Sequence, residues 1–380
     1  SSYNITNKSL EDLKEIINKS AQKNQLATPE TYNVVTPNII QRCINTANRE
    51  LRKDSLSHYP QTISKEIGTS IISKNPLAQD DSMAGFLINT APLETLKKKL
   101  TAPITTSITI SERTGIITRT LSLMQTKKEE LMTDIMLGGP KNLEGAQYEV
   151  WEARAIVYRL TNSAIEITKS KHLEFANSLE GKHSIVAVPS NFFALGLPDF
   201  VNLFFLGSDH IMIIAPPQGI PFWYTMQNIL YEAGLPESNL TVATVNEFPD
   251  ELISLSKKVS AVRMVGSTNT YTLIAESIGD DISDPFIHLG GEKSGNPNVN
   301  IGDGNKQQAR SIANGNLGNG GELCSSSTSA HMINGTPVDE NFTSTIQEIM
   351  DKSPKGYIMW DQYKITKKNV AKIFVKHKGK

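Results

Sequence analysis

The pattern of apolar and polar residues differs sharply between the first 110 residues and the rest of the chain. Residues 1–110 are polar, rich in Asn, Lys, Ser and Thr, and cut into short pieces by prolines. Amphipathic helix patterns occur near Leu10–Lys19 and Ile39–Leu51. We therefore expect a mostly helical N-terminal extension, which either wraps a core or forms a small subdomain.

From Ser111 the apolar residues recur at helical spacing. One stripe runs from Ile117 to Ile135 at intervals of three, four and seven residues and stops at Gly138-Gly139-Pro140. A second stripe runs from Tyr148 to Leu160. Both stripes are typical of helix faces that pack in an ordinary core.

Beyond these helices, short apolar runs alternate with helical stretches. The predicted strands are Ser184–Val188, Ile211–Ile214, Leu240–Val245, Ala261–Val265 and Phe286–Leu289. The predicted helices are Leu197–Leu206, Phe222–Ala233, Glu247–Lys258 and Thr268–Ile278. This alternation predicts a doubly wound parallel α/β sheet, a Rossmann-like dinucleotide-binding-type domain over residues 111–286. Ligands of such sheets bind at the carboxyl ends of the strands.

The segment between Gly290 and Gly321 is dense in glycine and asparagine. Such a segment buries little side chain, so it predicts backbone that runs close to a ligand around at most one short helix, Gln307–Ala313. It ends at Gly321-Glu322-Leu323-Cys324. A strand near Ala330–Ile333, a helix from about Asn341 to Met350 and a lysine-rich end complete the prediction.

Composition narrows the classes of function. The 38 Lys+Arg against 39 Asp+Glu give a net charge of -1, without the basic footprint expected for nucleic acid or an anionic membrane. Two cysteines, Cys43 and Cys324, exclude a disulfide-stapled scaffold and a Cys-rich zinc module. The histidines lack metal-ligand spacing, so we expect no metal site. With no signal peptide or membrane-spanning stretch in view, we expect a cytoplasmic protein.

Five short motifs, in order, resemble those of the aldehyde dehydrogenase superfamily. They are Val188-Pro189-Ser190-Asn191-Phe192, Ile214-Ala215-Pro216-Pro217-Gln218, Val265-Gly266-Ser267-Thr268, His288-Leu289-Gly290-Gly291 and Gly321-Glu322-Leu323-Cys324. The family motifs read Pro-Trp-Asn-Phe, Leu-Lys-Pro-Ser/Ala-Glu, Thr-Gly-Ser-Thr, Glu-Leu-Gly-Gly and Gly-Gln-x-Cys. Each match alone is weak, but five in the family's order are fairly specific.

The resemblance implies an oxidoreductase that acts on a small aldehyde, or in reverse on an activated acyl group, with NAD or NADP. Cys324 is the implied nucleophile, and the Asn191 amide with the Cys324 backbone N–H would hold the oxyanion. The implied cofactor-binding residues are Pro189, Ser190, Ile214, Ala215, Gln218, Gly266, Ser267 and Gly290. Ser267 is also a good helix N-cap, and a helix N-terminus suits a diphosphate. The other reading is that Ser267 only caps.

Departures from the family pattern change these expectations. His288 stands where the family has a water-activating Glu. Imidazole can also act as a general base. Family members that lack this Glu, however, tend to transfer the acyl group to coenzyme A or phosphate. Ala215 and Gln218 replace a ribose-binding Lys and Glu. The lost carboxylate slightly favours NADP, or it equally indicates that no dinucleotide binds. Tyr271 replaces a glycine and is a steric objection to dinucleotide binding.

The chain after Cys324 is much shorter than in the family and lacks its Glu-x-Phe-Gly-Pro motif. We therefore interpret residues 287–380 as an incomplete α/β catalytic-type domain that carries Cys324. Three interpretations stay open: an active enzyme, a catalytically inactive binding or interaction protein on the same fold, and a piece of a longer protein. A homodimer is compatible with each of them.

Overall fold

The computed structural model describes residues 70–73, 86–138, 141, 143–169, 179–245, 247–279, 288–293, 299–302, 304–317, 329–332 and 341–352. The helix candidates Leu10–Lys19 and Ile39–Leu51, the motif that ends in Cys324, and the lysine-rich end lie outside these residues. In this described part of the chain, every helix is too short or too polar to cross a membrane.

Strands and helices alternate through the middle of the chain, as the sequence predicted. The strands are β1 Ser70–Ser73, β2 Phe86–Asn89, β3 His183–Ala187, β4 His210–Ile214, β5 Leu240–Ala243, β6 Ala261–Gly266, β7 His288–Lys293, β8 Val299–Gly302 and β9 Ser329–Met332. The helices are α1 Leu93–Thr101, α2 Ile110–Thr126, α3 Lys128–Gly138, α4 Leu143–Lys169, α5 Gly196–Phe205, α6 Ile220–Glu232, α7 Asp250–Ser256, α8 Thr268–Gly279, α9 Lys306–Leu317 and α10 Phe342–Lys352.

Five strands form one parallel sheet in the order β5-β4-β3-β6-β7. The chain starts at the centre with β3, winds outward through β4 and β5, and then crosses to β6 and β7 on the other side. This order is that of a doubly wound α/β fold, so the predicted fold class is confirmed. Strands β3, β4 and β5 read as continuous apolar runs because both faces of the sheet are covered by helices.

Two apolar cores lie on opposite faces of the sheet. Val186 and Ile213 point into the larger core, where they pack with helices α2 to α6. Ile185 and Met212, their neighbours along the strands, point into the second core with helices α1, α7 and α8. The alternation follows from the two-residue period of a strand, which sends successive side chains to opposite faces.

The stripe predicted between Ile117 and Ile135 is buried, but two helices share it. Helix α2 begins with a capping box, in which the Glu112 backbone N–H donates to Thr109 Oγ1 and the Thr109 N–H donates to the Glu112 carboxylate. It ends before Lys127, and α3 continues the stripe. In the second stripe Val157 is fully buried, whereas Tyr148 is 38% exposed at the surface.

Outside the main sheet, β1 pairs antiparallel with β2, and β8 pairs parallel with β9. The described part of the N-terminal extension thus contains a strand pair, where the sequence predicted mostly helix, together with helix α1. The parallel sheet also reaches Lys293, beyond residue 286 where we ended the dinucleotide-binding-type domain. The division of the chain into domains stays a prediction.

Candidate functional site at the carboxyl edge of the sheet

The turn after β3 carries Asn191, the predicted oxyanion donor. The Val188 N–H donates to the Ile214 carbonyl at 2.9 Å, which extends the ladder between β3 and β4 to the edge of the sheet. Pro189 is buried, Ser190 is exposed and Asn191 is half-buried. The structure therefore sets Asn191 at the carboxyl edge, where a parallel sheet binds its ligands.

The residues after Asn191 are held tightly from two sides. The Trp223 indole N–H donates to the Phe193 carbonyl at 3.2 Å, and the Ala194 N–H donates to Glu149 Oε1 at 2.7 Å. Gly196 opens α5 without a side chain, because a Cβ there would lie 2.6 Å from Trp223 and 2.7 Å from Val188. The turn has little room to move.

A fully buried ion pair, which sequence reasoning missed, underlies this turn. The Lys141 ammonium group contacts the Glu149 carboxylate, and both side chains are 0% exposed. A signal was available in the sequence: Glu149 lies on the buried stripe of α4 between Ala146 and Val150, where a lone charge is unusual.

The N-terminus of α8 lies at the same edge, directly after β6. The Thr270 N–H donates to Ser267 Oγ at 3.1 Å, so Ser267 caps the helix as predicted. Ser267, Thr268 and Asn269 are exposed, and the first turn contains no acidic residue. An exposed helix N-terminus without acidic neighbours fits a diphosphate.

Tyr271 does not block this helix N-terminus. Its ring packs against the second core, and its hydroxyl donates to the Leu289 carbonyl of β7 at 3.3 Å. The ring therefore fills space between α8 and the sheet, which weakens the steric objection raised from the sequence.

The residues predicted at the adenosine ribose follow β4. The Ala215 N–H donates to the Ala243 carbonyl at 2.9 Å, and Ala215 is only 2% exposed. Gln218 lies half-buried in the short turn Pro217–Gly219 that leads into α6. Ile214, Gln218, Gly266, Ser267 and the Asn191 turn thus share one edge of the sheet.

His288 and Gly290 do not share that edge. The register of β7 pairs His288 with Ala261 and Lys293 with Gly266, so His288 starts its strand at the opposite edge. Five residues at about 3.3 Å each separate it from the carboxyl edge by roughly 16 Å. Its position gives no support to a role as base, which stays a prediction.

Gly290 lies in the middle of β7, opposite Arg263. A Cβ at this position would collide with the Arg263 guanidinium group unless that flexible side chain moved. The same register brings a carboxylate-bearing residue that the sequence analysis overlooked, Glu292, opposite Val265 near the carboxyl edge. Strand pairing, which cannot be read from the motif alone, identifies it.

At the amino edge, two histidines form a closed hydrogen-bond chain. His183 Nε2 donates to the Ala102 carbonyl at 3.0 Å, so its Nδ1 accepts from His210 Nδ1 at 2.9 Å. His210 Nε2 then accepts from the Thr241 hydroxyl at 3.0 Å. Burial, together with the nearby His183 and Lys99, lowers the pKa of His210 to about 3.

A cavity of about 330 Å³ opens beside this histidine pair, with Lys99, Gln227, Tyr231 and Ser238 among its lining residues. It lies at the edge opposite the predicted site. Among the described residues no group of three or more His, Cys, Asp or Glu side chains could hold a metal ion.

Comparisons with known proteins bear on both the fold and the motifs. Residues 210–365 match the model of the aldehyde dehydrogenase family. A solved variant of 1-pyrroline-5-carboxylate dehydrogenase from Thermus thermophilus superposes with a TM-score of 0.69 at 18% identity, covering 85% of this chain and 66% of that one. No curated protein matches the sequence.

Two further solved structures are similar. The Δ-pyrroline-5-carboxylate dehydrogenase of Mycobacterium tuberculosis, bound with NAD and cobalamin, gives a TM-score of 0.66 at 15% identity, covering 84% of this chain and 61% of that one. An aldehyde dehydrogenase from Bartonella henselae gives 0.61 at 14% identity, covering 77% and 63%. The chain spans less than two thirds of the length of these proteins.

Proposed function

We propose that this chain, whose residues 210–365 match the model of the aldehyde dehydrogenase family, oxidises an aldehyde with NAD or NADP, or reduces an activated acyl group in the reverse direction. One observation carries the proposal. The Asn191 turn, the end of β4 and the capped N-terminus of α8 lie at the same carboxyl edge of the parallel sheet.

In the proposed reaction the Cys324 thiolate attacks the aldehyde carbonyl carbon, and the carbonyl π electrons move to oxygen. The side-chain amide of Asn191 and the backbone N–H of Cys324 donate to that oxyanion. A nicotinamide cofactor held by Ser267 and Gln218 at the carboxyl edge would supply the acceptor for the hydride of the substrate carbon. Cys324 then carries a thioester, which water or another acyl acceptor cleaves.

The cofactor would bind along the carboxyl edge. Ser267 and the exposed first turn of α8 would hold the diphosphate, and Gln218 would lie at the ribose. The relatives from Thermus and Mycobacterium tuberculosis are described with bound NAD, which supports NAD for this chain. Gln218, which brings no carboxylate to the ribose, slightly favours NADP.

The residue that activates water for the thioester is open to a direct test. Its position near the carboxyl edge favours Glu292 over His288. We expect Glu292→Gln to slow steady-state turnover while the first burst of NAD(P)H remains, because hydride transfer precedes thioester cleavage. His288→Gln should leave both phases close to wild type. The reverse pattern would restore His288 as the base.

A catalytically inactive binding protein is the second candidate, because buried Ala215 offers no ammonium group to the ribose. Calorimetry with NAD and NADP, combined with a turnover assay, separates the two candidates. Dinucleotide binding without turnover of any aldehyde would favour the inactive protein.

The nucleophile is tested with Cys324→Ala, and Cys43→Ala serves as the matched control. With straight-chain aldehydes from acetaldehyde to octanal, we expect NAD(P)H formation from the wild type and the control. We expect a loss of at least about a thousand-fold from Cys324→Ala, because a covalent step without its nucleophile loses most of its rate. Full turnover by Cys324→Ala would refute the proposal.

A further inference from the structure

Two buried charges beneath the Asn191 turn have a specific arrangement. Lys141 lies two residues before α4 and Glu149 lies within it, and their paired side chains are 0% exposed. Removing two charges from water is costly, and an apolar pair of the same size would often be at least as stable. The pair is therefore not explained by stability alone.

The contacts of the pair converge on one segment. Glu149 accepts hydrogen bonds from the backbone N–H groups of Phe193 and Ala194. The Lys141 ammonium group lies 4.9 Å from the ring centroid of Phe192 and 5.2 Å from that of Phe193. These three residues directly follow Asn191.

The pKa of Glu149 depends on both Lys141 and the turn. Burial raises the pKa of Glu149, while Lys141 and the N–H groups of Ala194 and Phe193 act in the opposite direction. From the other side, Trp223 on α6 donates to the Phe193 carbonyl. The peptide units after Asn191 are thus bonded both to α4 and to α6.

We propose that Lys141 and Glu149 are positioning residues: Glu149, held by Lys141, fixes the turn so that the Asn191 amide is aimed in advance at the oxyanion. This inference rests on the proposed function. An oxyanion donor is effective only when it is preorganised, and a displacement of about 1 Å can cost about a hundred-fold in rate. Glu149 itself touches neither substrate nor cofactor; it acts through the backbone.

Single substitutions would leave one uncompensated buried charge, whose cost can unfold the protein. We therefore compare two double variants that both lack the ion pair. Lys141→Met/Glu149→Gln keeps an oxygen acceptor for the Phe193 and Ala194 N–H groups. Lys141→Met/Glu149→Leu has similar volume but no acceptor. Circular dichroism and thermal melting establish that both variants are folded at the assay temperature.

The rate probe is p-nitrophenyl acetate, which needs no cofactor. The Cys324 thiolate attacks the ester carbonyl, the oxyanion forms, and the bond to p-nitrophenolate breaks to leave a thioester on Cys324. Because an oxyanion donor contributes about a hundred-fold or more, we expect the burst of the Leu-containing variant to be about 30-fold or more slower than that of the Gln-containing variant. The KM of the Leu-containing variant for p-nitrophenyl acetate should change little.

A double-mutant cycle shows whether the effect passes through Asn191. In an Asn191→Ala background the two double variants should acylate at the same rate, because the donor that the turn positions is gone. Two results would overturn the inference: rates of the two variants within about three-fold of each other, or a difference that persists undiminished without Asn191.

Hydrogen exchange tests, without an activity assay, whether Glu149 fixes the turn after Asn191; we call this contact the clamp. In the peptide that covers residues 189–196, the backbone amides of the Leu-containing variant should exchange about ten-fold or more faster than those of the Gln-containing variant. Equal exchange would overturn the clamp. A wild type that gives no p-nitrophenolate burst, with the exchange difference present, would instead refute the proposed function while the clamp stands.

Discussion

Polar groups at the two edges of the parallel sheet differ in their exposure to solvent. At the amino edge, Arg113, Asp209 and His210 are buried, and each is bonded to neighbouring protein groups. At the carboxyl edge, Ser267 is exposed and Asn191 is half-buried. A buried group whose bonds are completed within the fold serves the structure, whereas accessible polar groups at strand ends can meet a ligand.

Arg113 shows the amino-edge behaviour most clearly. The residue is 2% exposed, and its guanidinium group donates to the carbonyls of Ile108, Phe204, Gly207 and Ser208 and to the Asp209 carboxylate. Each of its five N–H donors has an acceptor, so nothing remains to offer a ligand.

The largest expected effect on stability is that of Arg113→Met. The substitution leaves the Asp209 carboxylate buried without its cation, so we expect the free energy of unfolding to fall by about 4 kcal/mol in urea denaturation. Arg119→Met is the matched control, since Arg119 is exposed and its Nε donates to the Ala233 carbonyl. The free energy of unfolding of Arg119→Met should fall by only about 1 kcal/mol. Equal losses would contradict the structural role assigned to the amino edge.

Two asparagines, one at each edge, separate rate from stability. Asn191→Ala should lower the rate of NAD(P)H formation by about a hundred- to a thousand-fold through loss of an oxyanion donor, with little change in unfolding. Asn239→Ala removes donors to the Thr106 and Asp209 carbonyls. It should lower the free energy of unfolding by about 2 kcal/mol and leave the rate unchanged. The opposite assignment of effects would exchange the roles of the two edges.

The histidine pair predicts a pH dependence of stability. The fold keeps His210 neutral because its pKa is lowered from 6.5 to about 3, whereas the unfolded chain takes up a proton near pH 6.5. The stability that neutral His210 contributes is therefore fully present above pH 6.5 and is lost as the pH falls toward 3. By pH 5 the expected loss from this group is about 2 kcal/mol. Urea denaturation at pH 7 and pH 5 measures it, and His210→Gln should flatten the dependence.

The smallest expected effect concerns cofactor choice. Gln218→Glu adds a carboxylate at the predicted ribose site, where repulsion of a 2′-phosphate through water costs about 1 kcal/mol. We expect the KM for NADP to rise about five-fold while that for NAD stays nearly constant. Ser238→Glu adds the same charge at the amino edge and should change neither. A similar shift from both variants would point to net charge rather than a local site.

Much of the parallel sheet could be predicted because its strands are continuous apolar runs with clear ends. The predicted strand Ile211–Ile214 is observed as His210–Ile214, and the predicted helix Thr268–Ile278 as Thr268–Gly279. Helix Glu247–Lys258 is shorter than predicted, since Pro249 stands at its N-cap. The apolar pattern that predicts these strands and helices is contained in each segment of the sequence itself.

Other features depend on pairing that no local pattern contains. Strands β1 and β2 have only four residues each, too few to stand out in a polar region. The motif at His288 predicted a base, but the register of β7, which sets His288 away from the carboxyl edge, follows from contacts between strands. The role of Glu149 likewise emerges only when α4 packs against the Asn191 turn.

A crystal of the full chain soaked with NAD and, separately, with NADP tests whether the carboxyl edge of the sheet binds a dinucleotide. We predict density along the carboxyl edge, with the diphosphate at the N-terminus of α8 beside Ser267 and the ribose near Gln218. A carboxyl edge that stays empty, or a dinucleotide seated in the amino-edge cavity beside Tyr231, would contradict the account.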